Sequence, residues 1–170
     1  MIVDHGRTAV WGTGMSCHSC LLRPKSRGEV TLDSADPFAD PLIDPNFLSH
    51  PDDVKDMVDG YKIMMQVLNQ KPFSKYIQEH THRPVDINND SDIELAIREE
   101  ADTVYHPVGT CKMGSDEMSV VNDRLKVHNM NNLRIVDASI MPTLVGGNTN
   151  APTIMIGEKA SDMIKEDWRI

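Results

Sequence analysis

Apolar residues along this chain fall into two kinds of pattern, and each predicts a different element. The clearest is helical. Val54, Met57, Val58, Tyr61, Met64, Met65 and Leu68 recur at steps of three and four, so they line one continuous stripe. Pro51 suits the first turn of such a helix, Asp52 and Asp53 favour its positive end, and Lys71-Pro72 closes it. A second helix opens at Ser91-Asp92-Ile93-Glu94, a capping-box pattern. It turns Ile93, Ala96, Ile97 and Ala101 toward the core and ends near Thr103. For the methionine-rich stripe of the first helix, core packing is the reading adopted over a docking face.

The other pattern is the short apolar run bounded by turn residues. Residues 16–22 and 29–32 predict two strands, joined by Arg23-Pro24-Lys25-Ser26-Arg27-Gly28 in a hairpin-like connection. Pro37, Pro41, Pro45 and Pro51 then stand too close for helix and too irregularly for a central strand, so residues 34–51 predict an extended loop. Residues 133–137 read as a buried strand ending on Asp137. A loop dense in Pro, Gly and Asn follows, then a helix over about 153–164. Residues 117–126 read as a surface excursion. Strands, then two helices, then strand–loop–helix is an α+β arrangement rather than a series of βαβ units.

Composition adds bounds. With 170 residues, 39% hydrophobic and 25% charged, the chain is long enough for one domain with a core and ordinary for a globular protein. A net charge of −9 argues for no nucleic-acid partner. No apolar run approaches the ~20 residues of a transmembrane segment. The opening MIVDHGRTAVWG lacks the basic and apolar regions of a signal peptide, so the expected location is cytoplasmic.

Candidate chemistry lies in histidine, cysteine and the late glycine loop. Cys17 and Cys20 form one CxxC around His18, without a second ligand pair or a histidine directly after it. Two thiols on a buried strand is the reading adopted, since free cysteine packs as a small hydrophobe. His80 and His82 would share one face of a strand, a spacing zinc sites use, but no third ligand stands near, so no metal ligands are assigned. His50 reads as a helix-cap residue and His128 as a loop residue. His106 differs from these: it follows a helix, is held extended by Pro107, and opens a Gly/Thr/Cys loop. Imidazole titrates near neutrality, so His106 is a candidate general base. Asn148, after Gly146-Gly147, is open between turn residue and site residue on spacing alone. Asp137, delivered to a glycine-rich loop with a helix N-terminus behind it, would make a cofactor edge.

YHPVGTCKMG at 105–114, NLRIVDASIMPT at 132–143 and GGNTNAPTIMIGEKASDMI at 146–164 together resemble the C-terminal part of the glucose–methanol–choline (GMC) family of FAD-dependent alcohol oxidoreductases. RPKSRGEVTLDSADPFADPLIDPNFLS at 23–49 resembles the segment that precedes the family's helices. The likeness runs from about Cys20 to Ile164, and its wording is most like choline dehydrogenases and bacterial aliphatic-alcohol dehydrogenases. It implies FAD as cofactor and a small primary alcohol, oxidised to an aldehyde, as substrate. His106 matches the family's base, and Asn148 matches the partner position that hydrogen-bonds the substrate oxygen while hydride passes to flavin N5. Asp137 and Ala138 match the segment that touches FAD. Asn148, Thr149 and Asn150 match the stretch facing the flavin's pyrimidine edge.

The same resemblance implies an organisation. Residues 1–19 would be the tail of a central substrate-binding region, 20–132 the substrate-binding and catalytic domain, and 133–170 a strand–loop–helix completing the FAD domain. The family's GxGxxG dinucleotide fingerprint is not in this sequence, because Gly6, Gly12 and Gly14 lack its spacing and its preceding strand. The expected fold is therefore the end of an antiparallel substrate-binding sheet with helices, plus a strand–loop–helix returning to an FAD-binding domain whose N-terminal part is absent. Its partner would be that missing half. The chain alone would be inactive, with Ile135, Ile154, Ile156 and Met163 uncovered on one face. Membrane association of the full-length enzyme is left open. Two other readings stand beside this one: a catalytically silent stand-alone fragment, and a small Cys/His metal or redox module.

Overall fold

The computed structural model describes residues 2–3, 8–9, 14–77 and 84–169, the first two pairs by their backbone alone. The His80/His82 pair lies outside the described residues. Two short antiparallel ladders are present: β1 (Ile2–Val3) with β2 (Thr8–Ala9), and β3 (Glu29–Thr31) with β4 (Leu42–Asp44).

The second ladder corrects the expected hairpin. β3 pairs not with residues 16–22 but with a piece of the proline-rich loop, Glu29 facing Asp44, Val30 facing Ile43 and Thr31 facing Leu42. Proline carries no N–H, so Pro41 and Pro45 confine the ladder to the three residues between them. Gly28 closes it, because any Cβ there would run into the Asp44 carbonyl and the Pro45 backbone. Residues 14–28 form no ladder, and Cys17 and Cys20 are both exposed rather than buried on a strand. An extended segment without a pairing neighbour has nothing to cover its thiols.

The chain divides into two compact units. In the first (Met1–Leu21, Lys25–Arg27 and Asn46–Val104), α1 spans Pro51–Leu68 and packs on α3, Asp90–Glu100. His50 caps α1, its Nδ1 accepting from the Asp52 amide at 3.2 Å. Val58, Ile93 and Ile97 form the core here, with Leu48, Met57, Tyr61 and Val85 against it. The rest of the predicted stripe is half-buried, so α1 lies on its neighbours rather than inside them. A short α2 (Lys71–Ser74) follows α1. The cap of α3 is Asn89, whose side chain accepts from the Ser91 and Asp92 amides, and not Ser91. Asn caps as well as Ser and comes first in the chain, while the Asp92 carboxylate serves the Asp86 amide at 2.7 Å. The helix stops at Glu100, leaving Ala101 exposed.

Asp53 is the buried charged residue of this unit, at 2% exposure. The Lys25 and Ser26 amides donate to its carboxylate at 2.8 and 2.7 Å, and the Ser26 hydroxyl at 2.5 Å. Burial pushes that carboxyl up, but these donors outweigh it and hold it below the usual carboxylate range.

The second unit holds Leu22–Pro24, Gly28–Pro45 and Tyr105–Ile170. Its core is Val121, Leu125, Ile140, Met141, Ile156 and Ala160. Two of these overturn an expectation, because residues 117–126 are no mere excursion. Val121 is fully buried and Leu125 nearly so, while the acids around them face water. The apolar residues are too few for a periodic signal, yet they plug the centre of the unit. Residues 133–137 form no buried strand either: one bridge, Lys126 to Arg134, is made, and Leu133, Val136 and Asp137 are exposed. After a 3₁₀ turn at Ala138–Ile140, α4 runs Asn150–Trp168, extending the expected helix at both ends. Ile156 is buried in it and Ile135 and Met163 pack on the core, so of the four residues expected to lie uncovered, Ile154 alone is exposed, at 58%. No described helix is long and apolar enough to cross a membrane.

Candidate functional site

All the site residues singled out in the sequence belong to the second unit. Tyr105 takes a left-handed backbone, φ 60°, which turns the chain into His106-Pro107. His106 is exposed, and its ring makes no hydrogen bond among the described residues. The loop then passes Gly109 at φ 88°, a conformation glycine tolerates, and a Cβ there would also come within 3.2 Å of the Met141 carbonyl. Beyond it the loop is fastened: the Cys111 amide donates to the Ser139 carbonyl at 3.0 Å and the Met113 amide to the Ile140 carbonyl at 2.7 Å.

The 3₁₀ turn that accepts these bonds is itself capped by Asp137, whose Oδ1 accepts from the Ser139 amide at 2.7 Å. Asp137 thus shapes the turn presenting Ala138, and its second oxygen makes no bond to a described residue. Val108 and Met113 from the histidine loop, Ala138 from the turn, and Ile156 from α4 share one hydrophobic core. Packing and main-chain bonds therefore bring the 105–114 loop, Asp137 and Ala138, and α4 together. The carbonyls of Ser139 and Ile140 and the glycine at 109 were not singled out in the sequence. Main-chain acceptors leave no residue signature to find.

Asn148 is exposed just before α4, and its side-chain amide makes no hydrogen bond among the described residues. Thr149 is half-buried at the start of α4, its carbonyl accepting from the Thr153 amide at 3.1 Å and the Thr153 hydroxyl at 2.7 Å. No side chain caps α4 and no acid stands in its first turn. Its positive end is thus left unneutralised, with Asn148 beside it and Asn150 in it, an environment that favours developing negative charge. His106 and Asn148 are not hydrogen-bonded to each other.

A family model described as GMC oxidoreductase matches residues 24–157. This chain belongs to the GMC oxidoreductase family. Among curated relatives, an alcohol dehydrogenase [acceptor] from Pseudomonas putida is 50% identical over 161 residues, 95% of this chain and 29% of its own length. An oxygen-dependent choline dehydrogenase from Cronobacter sakazakii is 44% identical over the same shares. Among solved structures, a fungal aryl-alcohol oxidase superposes with a TM-score of 0.78 at 31% identity, covering 88% of this chain and 25% of that one. A formate oxidase from Aspergillus oryzae, a variant made to follow FAD modification, gives 0.79 at 31% identity over 86% and 26%. The GMC chain thus spans under a third of the length of the relatives it matches.

Proposed function

We propose that this chain is the C-terminal part of an FAD-dependent GMC oxidoreductase in which the whole protein oxidises a small primary alcohol to an aldehyde. The observation that carries the reading is the fastened histidine loop: its amides are bonded to the turn that Asp137 caps, and both pack on the helix with the unneutralised N-terminus. In the division that follows, residues 20–132 form the substrate-binding and catalytic part, 1–19 lead into it from a central region, and 133–170 complete the FAD domain. The chain's antiparallel ladder β3–β4 is then the end of the substrate-binding sheet. Its partner is the FAD-binding half of the same enzyme.

His106 takes the hydroxyl proton of the alcohol on an unprotonated ring nitrogen, a role suited to an exposed imidazole that no described residue occupies. Asn148 donates its side-chain N–H to the same oxygen, and that bond strengthens as negative charge grows there, without competing for the proton. Asp137, Ala138, Asn148, Thr149 and Asn150 would hold FAD, which when bound would supply the acceptor for the hydride that leaves the alcohol carbon.

The test is steady-state oxidation of primary alcohols by the complete enzyme. His106→Ala lowers kcat by roughly 10²–10⁴-fold, the range for a lost general base. Asn148→Ala costs less but also acts mainly on kcat, because its bond matters most as the alkoxide forms. Wild-type kcat in His106→Ala, with turnover lost instead in His80→Ala or His82→Ala, would sink the assignment.

A further inference from the structure

Arg23 opens the RPKSRG segment and lies in the same compact unit as the Asn148 loop. Its guanidinium sits directly on Gly146: a Cβ built on that glycine would fall 2.9 Å from both Nε and Nη2 of Arg23 and 3.1 Å from Cζ. Gly146 does not need to be glycine for its backbone, since Gly109 alone among the described glycines has a positive φ. The missing side chain makes room for the guanidinium instead. Gly147, next in the chain, meets nothing within 4 Å, so the close contact is specific to Gly146.

Two further facts mark the contact. Arg23 is exposed and forms no ion pair or hydrogen bond among the described residues, so no polar bond draws its head away from the glycine. Gly146 precedes Asn148 by two residues in a loop that ends at the uncapped start of α4, where no side chain fixes the entry of the chain into the helix. A loop without a cap needs something else to hold it. A flat, delocalised and weakly hydrated guanidinium can pack against backbone where the compact, strongly hydrated ammonium of lysine does not.

We propose that Arg23 is a positioning residue for the alcohol-oxidising site: by packing on Gly146 it holds the loop that aims Asn148 at the substrate oxygen. This rests on the reading of Asn148 given above. Small misplacements of an aiming group cost rate rather than binding, so the effect belongs in kcat. Arg23 touches neither substrate nor cofactor on this proposal; it acts through Asn148.

The experiment is a set of variants in the complete flavoenzyme, with kcat, KM and Tm measured for each. Arg23→Ala should lower kcat by about tenfold with KM within about twofold. Gly146→Ala should do the same with Tm unchanged, because the atoms in its way are the far end of a flexible side chain, which can swing aside. Arg23→Lys should not restore kcat. In an Asn148→Ala background, neither Arg23→Ala nor Gly146→Ala should lower kcat further, since nothing is left to aim. Losses that multiply in that background would overturn the proposal, as would rescue by lysine, which would point to charge alone. Unchanged kcat in Arg23→Ala, with kcat still lowered in His106→Ala, would remove the role of Arg23 and leave the proposed function standing. Wild-type kcat in His106→Ala would remove both.

Discussion

Asp53 shows how much one side chain does in this protein. Its carboxylate is buried and receives two backbone amides and a hydroxyl from Lys25 and Ser26, which pins that segment to the first turn of α1. Asp53→Ala strands those donors, and the expected cost is about 2–3 kcal/mol in a urea unfolding series at neutral pH. The pH dependence has a definite sign. The folded carboxyl lies below its ordinary range, so its contribution is complete above about pH 4, where the unfolded group is ionised. It fades as pH falls through the lower folded value. Stability of the wild type should thus converge on that of Asp53→Ala as the medium is acidified. In the sequence, Asp53 could be read as a residue favouring the helix's positive end, but its bonds to residues 25 and 26 could not, because they join segments far apart in the chain. His106 and Asn148 were legible as candidates because Pro107 and the Gly146-Gly147 pair frame them locally.

Among the elements, α4 depends most on charge. Asp167 near its C-terminus accepts from Lys126 at 2.5 Å, from Arg124 at 3.0 Å and from Arg134. The Lys126 hydrogen bond, then the Arg134 bond and the Arg124 charge, hold its carboxyl at about 2. These pairs fasten the end of α4 to the 122–134 segment. In Asp167→Ala, hydrogen exchange in the last two turns of α4 should quicken, while the turns around the buried Ile156 and Ala160 keep their protection. Acid should mimic the substitution: the fastening is intact above about pH 4 and is lost between there and about pH 2. Periodicity and caps located α1 and α3, since both signals lie within one helix, whereas α4 was placed by the Pro/Gly/Asn loop before it. Their ends shifted where a neighbouring residue offered a better cap, as Asn89 does, or where distant cations held an end that local preference would let fray.

At the scale of the whole molecule, Phe38 at 93%, Leu32 at 84% and Ile154 at 58% exposure leave apolar side chains in water. The chain's relatives are more than three times its length. The isolated chain should therefore bind a hydrophobic dye in its folded state, and it should lose flavin on gel filtration, since the GxGxxG turn that cradles the pyrophosphate is not in its sequence. Yellow absorbance co-eluting with the chain at one flavin per molecule would count against its being part of a larger flavoenzyme.

The sequence by itself determined the family, the order of its motifs and the existence of the three long helices, because each of these is written in residues close together. Tertiary structure decided the rest. It paired β3 with the stretch between two prolines, left Cys17 and Cys20 without a strand to lie on, and put Val121 and Leu125 at the centre of a core from within a polar run. It also set Arg23 on Gly146. Ladder partners and burial depend on which distant segments close on one another, and that closure is settled by the free energy of the folded chain as a whole rather than by any local pattern.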